Sequence, residues 1–316
     1  MSVAEVNTQL KSSTTSLTFQ HILAATDFSE SSRRALREAL TLAVVNSAQL
    51  SVIHVLHPDR THAALENPPE LDLERIDAEK QFINLLNELK PEQKIETLLK
   101  HGNVTLQVLS VIEEEAIDLL VIGTRARGGL TKVALGSVAE ELLRVAPCPV
   151  MTIGPQAELA AARTGFHRIL FATDFGKGSA KALPLALALA RVPQTQLIML
   201  HMISHVPSSS ASLSAYAPAT AAADEVEELE GTYRARAVQL LKECLPADAG
   251  LAQEPKFVVG TDFLAEGILT ASAKYNVDVI VMGANRTSSK MAAHIPWSAV
   301  HEVVRDARCP VLTVAG

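Results

Sequence analysis

The amino-acid sequence predicts an α/β protein built from two copies of one open, parallel-sheet domain with five strands each. Three short blocks recur along the chain in the same order, which indicates a duplicated folding unit. They are LAATDFSESS and LFATDFGKGS (23–32 and 170–179), AIDLLVIG and NVDVIVMG (116–123 and 276–283), and APCPVMTI and ARCPVLTV (146–153 and 307–314). The shifts are 147, 160 and 161 residues. Strands alternate with helices in both copies, which predicts parallel pairing through right-handed crossovers.

Apolar runs predict the strands of the first copy. Leu50–Leu56 is almost continuously apolar, as is typical of a strand with helices on both faces. Segments with a helical period separate the runs. The predicted strands lie at 21–25, 50–56, 94–100, 119–122 and 149–153, and the predicted helices near 35–44, 71–89, 104–115 and 137–145.

The second copy repeats this plan with one long difference. Its predicted strands lie near 167–172, 196–203, 255–260, 278–282 and 310–314. Residues 204–223 are rich in Ser, Ala and Pro and lack a period, so we expect a flexible loop over the carboxyl edge of the sheet. The predicted organisation is a flexible N-terminal segment (1–20), a first domain (21–154), a linker (155–165) and a second domain (166–316).

Composition excludes several classes of protein. The 316 residues are 48% hydrophobic and 20% charged, which is ordinary globular usage. The net charge of −7 argues against general nucleic-acid binding. No run approaches the roughly 18 apolar residues that span a bilayer, and the first 20 residues do not resemble a secretory signal. Three cysteines fit a reducing compartment. We therefore expect a cytoplasmic protein without membrane or nucleic-acid partners.

Three segments of the first copy are expected to meet at the carboxyl edge of the sheet, where open α/β sheets bind ligands. They are Thr26-Asp27, His54-Val55 and the loop from Gly123 to Ser137. That loop is rich in glycine and carries Arg125, Arg127 and Lys132, and Gly136-Ser137 opens a helix. Free N–H groups at a helix start suit phosphate. An exposed loop with an ordinary helix cap is the alternative, and the loop chemistry by itself does not decide between them.

These residues resemble the universal stress protein domain. Its nucleotide-binding members carry Gly, two residues, Gly, nine residues, Gly and then Ser or Thr; here the chain has Gly123, two residues, Ala126, nine residues, and Gly136-Ser137. The resemblance extends to TDF after the first strand, HV ending the second and CPV before the last. Because it covers both copies, it implies a tandem universal stress protein with Rossmann-like (adenine nucleotide alpha hydrolase-like) domains.

The resemblance implies an ATP site in the first copy, with Mg²⁺ as a counter-ion of the nucleotide. Asp27 would contact the adenosine, the Val55 backbone would meet the adenine, and Gly123, Gly136 and Ser137 would hold the ribose and phosphates. The candidate binding residues are Thr26, Asp27, Val55, Ile122, Gly123, Arg125, Ala126, Gly136 and Ser137.

Ala126 departs from the family pattern, which has glycine there. If the backbone at this position needs a positive φ or touches phosphate, the added methyl is costly. If φ is negative, alanine is the mildest replacement.

The second copy departs further, because Trp297 stands where the first copy has Gly136, and Pro296 stiffens the approach. The equivalents that remain are Asp174, Met202, Gly283 and Ser298. An indole at a phosphate-facing turn is expected to obstruct nucleotide binding, so we interpret this copy as structural or regulatory.

Other residues have simpler explanations. Asp27 and Asp174 follow strands, where an aspartate also caps the next helix. Cys148 and Cys309 are expected to behave as small apolar residues. His54, His57 and His62 lack the carboxylate and cysteine neighbours of a zinc site, and residues 176–181 do not have the full spacing of a phosphate loop.

We find no catalytic constellation in the sequence, so we expect a binding protein, since slow ATP hydrolysis would need a water-positioning group that we cannot name. The alternative is a tandem interaction module that binds no nucleotide and recruits an unidentified protein. A ligase or nucleotidyltransferase is disfavoured because its signature loops are missing. The resemblance also implies an internal pseudo-dimer in which Pro149–Ile153 pairs with Pro310–Val314; the sequence leaves a homodimer of whole chains open.

Overall fold

The computed structural model describes residues 19–56, 69–124, 135–158, 165–203, 223–284 and 297–316. In this part of the chain, ten strands alternate with eight helices. The contacts divide the protein into two compact units. One contains residues 18–165 together with 304–315, and the other is formed mainly by residues 166–303.

The first unit holds the first copy. The elements of the first copy are β1 (His21–Ala25), α1 (Glu30–Asn46), β2 (Gln49–Leu56), α2 (Pro69–Leu89), β3 (Ile95–His101), α3 (Val104–Glu114), β4 (Leu119–Gly123), α4 (Ser137–Val145) and β5 (Val150–Ile153). The unit also contains the last strand of the chain, β10 (Val311–Ala315). Its strands follow the order β3-β2-β1-β4-β5-β10, and all neighbours are parallel except β5 and β10.

The second copy has the same element order. The elements are β6 (Arg168–Thr173), α5 (Lys177–Ala190), β7 (Gln196–Met202), α6 (Ala223–Glu243), β8 (Lys256–Gly260), α7 (Leu264–Lys274), β9 (Val279–Ala284), α8 (Trp297–Asp306) and β10 (Val311–Ala315). The parallel strands follow the order β9-β6-β7-β8.

The predicted fold class is confirmed, with five strands in the described part of each copy. Ala223, predicted to end the loop over the second sheet, is instead the first residue of α6. A helix is compatible with this residue because alanine has the highest helix propensity. The rest of that predicted loop (204–222), residues 1–18 and linker residues 159–164 lie outside the described residues.

Strand β10 pairs with β5 in antiparallel register, with Leu312 opposite Met151. Two buried threonines reinforce the pair: the Thr152 hydroxyl donates to the Val311 carbonyl at 3.1 Å, and the Thr313 hydroxyl donates to the Val150 carbonyl at 3.1 Å. The predicted pairing of these two strands is thus present, while the pseudo-dimer stays a prediction. None of the described helices is long and apolar enough to cross a lipid bilayer.

The sheet order explains where a ligand can enter. From β1 the chain moves to β2 on one side and later returns to β4 on the other. The loops that leave β1 and β4 therefore separate, and a crevice opens at their carboxyl ends. The second copy has the same reversal between β6 and β9.

Candidate functional site

A cleft of about 170 Å³ opens at the carboxyl ends of β1, β2 and β4 in the first copy. Its described wall is mostly apolar, with a few polar groups from the loops after β1 and β4. The lining residues of β1, β2, α1 and the loop between β1 and α1 are Ala25, Thr26, Asp27, Ser32, Ile53, His54 and Val55. Those of α3, β4, α4 and the chain next to β4 and α4 are Val104, Val108, Ile122, Gly123, Thr124, Gly136, Ser137, Val138, Ala139 and Leu142.

The Thr-Asp-Phe block forms the turn from β1 into α1. The Thr26 hydroxyl accepts from the Phe28 N–H at 3.0 Å, and the Asp27 carboxylate accepts from the Ser29 N–H at 3.0 Å. Ser29, not Asp27, is the N-cap of α1, and its hydroxyl accepts from the Ser32 N–H at 3.3 Å. The expected role of Asp27 as helix cap is therefore wrong in detail: its carboxylate closes an Asx turn two residues before the helix.

The phenylalanine of this block has a left-handed backbone, with φ of 60° at Phe28 and 58° at Phe175. Such a conformation costs about 1–2 kcal/mol in a residue with a Cβ, so neighbouring contacts must hold it. The Phe28 ring packs 4.5 Å from the His54 ring, and Phe175 packs 4.4 Å from His201. A histidine that stacks on the strained residue explains why the second strand of each copy carries one.

Each of these histidines also ties the second strand to the turn. His54 Nδ1 lies 2.7 Å from the Thr26 carbonyl, and His201 Nδ1 lies 2.9 Å from the Thr173 carbonyl, which places an N–H donor on Nδ1 in both rings. Burial lowers the pKa of His201, which favours the neutral ring. The TDF and HV blocks therefore belong to the scaffold of both copies.

Val55 presents its backbone to the cleft. The Ile53 carbonyl accepts from the Thr26 N–H at 2.9 Å, whereas the Leu56 carbonyl accepts from the Gly102 N–H at 2.9 Å on the β3 side. Backbone groups alternate sides along a strand, so the Val55 N–H and C=O point to the β1 side. Strand β1 ends at Ala25, and no described residue outside the strand ladder bonds to these two groups. They form a donor and acceptor pair at the cleft wall.

Gly123 is needed for packing. A Cβ at this position would lie 2.6 Å from Ser31 Oγ and 2.7 Å from the Ser31 carbonyl, because the first turn of α1 crosses the end of β4. A Cβ at Gly283 would overlap the backbone of Gly178 in the same way. The retention of this glycine in both copies thus has a structural cause, independent of any ligand.

One hydrogen bond joins the residues on either side of the loop after β4: the Gly136 N–H donates to the Thr124 carbonyl at 2.9 Å. Helix α4 then starts without a side-chain cap at Gly136, and Ser137 is exposed. The first N–H groups of α4 have no partner within the helix, and they carry the positive end of its dipole. This uncapped helix start at the cleft can receive an anion.

Seven of the nine candidate residues line the cleft, and their ligand role stays a prediction. Arg125 and Ala126, with Arg127 and Lys132, lie outside the described residues. Sequence reasoning missed Ser32, Thr124, Val104 and Val108. Ser32 could have been identified from the sequence, because it lies in the first repeated block and its equivalent in the second copy is Ser179. Both serines contact the preceding turn: Ser32 Oγ lies 3.0 Å from Thr26 Oγ1, and the Ser179 hydroxyl bonds the Asp174 carboxylate.

The three cysteines are buried or half-buried. Burial raises the pKa of Cys148 to about 12 and that of Cys244 to about 11, so both stay protonated and weakly nucleophilic. Cys309 is buried. Within the described ranges, no three His, Cys, Asp or Glu side chains gather as a metal site; His57 and His62 lie outside these ranges.

The universal stress protein family model matches this chain twice, over residues 18–154 and 165–315. The chain belongs to the universal stress protein family. The two matched segments show two domains of this family in tandem, as the repeated blocks predict.

Individual relatives match one copy at a time. Universal stress protein A homolog 1 of Coxiella burnetii is 35% identical over 141 residues, which cover 43% of this chain and 96% of the relative. Universal stress protein YxiE of Bacillus subtilis is 28% identical over 146 residues, covering 43% of this chain and 99% of the relative.

A solved structure shows the tandem fold. The universal stress protein from Archaeoglobus fulgidus has a TM-score of 0.63 at 19% identity, covering 93% of this chain and 98% of that one. At this identity, the likeness supports the fold of both copies and no further property.

Proposed function

We propose that the first copy binds ATP and that the protein acts as a nucleotide-responsive stress regulator in the cytoplasm, with a second copy that binds no nucleotide. The observation that carries the proposal is the pairing of two polar ends in one apolar cleft. The Val55 backbone lies at one end, and the uncapped start of α4 lies at the other.

The Val55 end suits a base. A backbone N–H beside a C=O on the same strand edge can bond an acceptor and a neighbouring donor on one planar ring. The amidine edge of adenine offers this combination. Val104, Val108 and Ile122 supply the apolar surface that a planar base needs on its faces.

The α4 end suits phosphate. N–H groups at a helix start bind anions through direct hydrogen bonds and the helix dipole. Ser137 is exposed at this start and can add its hydroxyl. Mg²⁺ keeps most of its contacts to phosphate and water, and Asp27 is the one carboxylate among the described lining residues that could reach it.

We propose a sensor and not an enzyme. Among the described lining residues, Asp27 is the one carboxylate, and its Oδ1 accepts from the Ser29 N–H, so no pair of carboxylates for acid and base catalysis lines the described wall. His54 bonds the Thr26 carbonyl through Nδ1 and packs its ring against Phe28, so we assign it to the scaffold of the turn. Occupancy of the cleft, and not turnover, would then carry the signal.

The test is equilibrium binding of labelled ATP to the full chain. We expect one equivalent per chain, and we expect Gly136→Trp to abolish uptake because the indole occupies the turn that precedes α4. Gly231→Trp is the matched control, because Gly231 lies in α6 of the second copy and a Cβ at this position meets nothing within 4 Å. ATP uptake by this variant should be unchanged. Negligible uptake by the folded wild-type protein would refute the proposal, and two equivalents would refute the silent second copy.

One observation favours the alternative, a tandem interaction module. Helix α2 exposes three large apolar side chains, Leu73 (67% exposed), Ile76 and Ile83 (58% exposed). Their spacing of three and seven residues puts them on one helix face, opposite the buried Ala78 and Phe82. Exposed apolar faces often mark contacts with other proteins. If ATP uptake is absent, this surface becomes the leading candidate for function.

A further inference from the structure

Helices α3 and α4 together form one side of the cleft in the first copy. Val104 and Val108 of α3 line it, as do Ser137 and Leu142 of α4. Helix α3 connects β3 to β4 and helix α4 connects β4 to β5, so both crossovers run in the same direction along the sheet. Right-handed crossovers in one direction place their helices on the same face. A ligand that spans the base and phosphate ends of the cleft would therefore contact both helices.

A side-chain hydrogen bond joins the two helices beside these lining residues. The Thr105 hydroxyl donates to the Glu141 carboxylate at 2.6 Å. Thr105 follows Val104 and is buried, whereas Glu141 precedes Leu142 and is exposed, so a residue at the surface supplies the acceptor for a buried donor. A buried hydroxyl needs a partner, and an ionised acceptor makes the stronger kind of hydrogen bond. The bond therefore ties α3 to α4 directly behind the cleft wall.

The hydroxyl belongs to the first copy alone. Thr105 is polar, while the other buried residues of α3 are apolar. The shift of 160 residues that relates the second pair of repeated blocks places the buried Ala265 at this position of α7, and the shift of 161 residues places Glu302 at the position of Glu141. The second copy thus has the carboxylate without the donor. Because α7 forms with alanine at this position, forming the helix does not by itself explain the threonine.

We propose that Thr105 and Glu141 are positioning residues, whose hydrogen bond sets the separation between the base end and the phosphate end of the first cleft. This inference rests on the proposed function, because it takes these two ends as the ATP site. Helix α4 is attached at its start by the bond from Gly136 to Thr124. The Glu141 bond attaches it again in the next turn, to the helix that carries the apolar wall for the base. Two attachments fix where the first N–H groups of α4 lie relative to that wall.

The test compares ATP, which needs both ends of the cleft, with adenosine, which lacks phosphates and needs only the base end. Thr105→Val keeps the shape of the side chain and removes the donor, and the Glu141 carboxylate can then be hydrated because it is exposed. ATP should bind about fivefold more weakly, which is the usual effect of one hydrogen bond, while adenosine should bind with unchanged affinity. Isothermal titration calorimetry of the full chain measures both affinities.

Ser110→Ala is the matched control. The Ser110 hydroxyl donates to the Glu114 carboxylate within α3, so this variant loses the same kind of bond from the same helix without releasing α4. Ser110 is not one of the described lining residues of the cleft. Both affinities of this variant should equal those of the wild type. Thr105→Ser keeps the hydroxyl and should bind ATP as the wild type does.

Unchanged ATP affinity in a folded Thr105→Val protein, or an equal loss of affinity for ATP and adenosine, would overturn the inference. If adenosine binds too weakly to measure, the ATP affinities decide: loss with valine and recovery with serine support the inference, and any other pattern overturns it.

If Thr105→Val fails to fold, Glu141→Ala removes the acceptor from an exposed position instead. The lost negative charge would by itself favour ATP, so weaker binding supports the inference, and equal or tighter binding overturns it. The proposed function fails separately, because wild-type protein that binds no ATP refutes the site itself, whatever the variants do.

Discussion

The two copies share the turn after their first strand and differ at several residues near the carboxyl ends of their strands. The strained Phe28 and Phe175, each stacked on a histidine, and the packing glycines Gly123 and Gly283 have the same contacts in both. At the end of the second strand, by contrast, Met202 of the second copy stands where the first copy has Val55. Residues that hold the strands to the helices are the same in both copies, while Val55 and Gly136 of the first copy are replaced by Met202 and Trp297 in the second.

This difference changes how a shared motif should be interpreted. A block that is present in both copies is explained by backbone geometry, even where it lies beside the cleft. Asp27 and Asp174 each close the same turn, with bonds of 3.0 and 2.8 Å to the N–H two residues on. Ligand binding is better sought in residues that differ between the copies, such as Gly136, which Trp297 replaces in the second copy.

The largest effect is expected from filling the shared glycines. Gly283→Ala should lower the free energy of unfolding by about 3 kcal/mol and Gly123→Ala by about 2 kcal/mol, because the new methyl group meets helix backbone in both copies. Urea denaturation measures both. Gly231→Ala, with open space around it, should be neutral or stabilising. If Gly123→Ala abolished ATP uptake without loss of stability, its retention would reflect binding and not packing.

A smaller effect is expected from exchanging the helix caps of α3 and α7. The Asn103 side chain accepts from the Leu106 N–H at 3.0 Å, whereas Phe263 caps nothing and is 83% exposed. Phe263→Asn should therefore raise the free energy of unfolding by about 1 kcal/mol, and Asn103→Phe should lower it by a similar amount.

Phe263→Ala separates the cap from the loss of an exposed ring, since alanine adds no acceptor. It should change the stability much less than Phe263→Asn. Equal gains for the two substitutions would show that the missing cap is not the difference between the helices.

The smallest effect concerns pH. Burial holds the pKa of His201 below its usual value, with the Thr173 carbonyl and Asp174 acting against that shift. The unfolded chain then binds more protons as the pH falls through about 6.5, so the stability contribution is complete above that pH and declines below it. In urea denaturation between about pH 5 and pH 8, His201→Gln should lose stability less steeply on acidification than wild type. Identical slopes would contradict a buried neutral ring.

Much of the fold was predictable because its signals are local. The apolar run of β2 and the repeated blocks identify the strands, and the alternation of strands with helices predicts their parallel pairing through right-handed crossovers. The start of α6 at Ala223 was missed, because alanine-rich sequence without an apolar period carries little information about where a helix begins.

The position of the candidate site was predictable from the sequence, whereas the packing that explains its residues was less so. Seven candidate residues reach the cleft because carboxyl ends of parallel strands share one edge. The close approach of Ser31 to Gly123, which leaves no room for a side chain, could not be inferred. The two residues are separated by 92 positions in sequence and meet through helix packing. The packing of the Met202 side chain against Gly260 and Gly267 could not be inferred for the same reason.

The sequence by itself determined the duplication, the α/β class and the edge where a ligand would bind, because periodicity and repeats are properties of neighbouring residues. Tertiary structure alone decided which residues hold the turn and which leave space. Whether a glycine frees room for phosphate, for a helix backbone or for a methionine depends on the atoms packed against it, and those atoms come from distant parts of the chain.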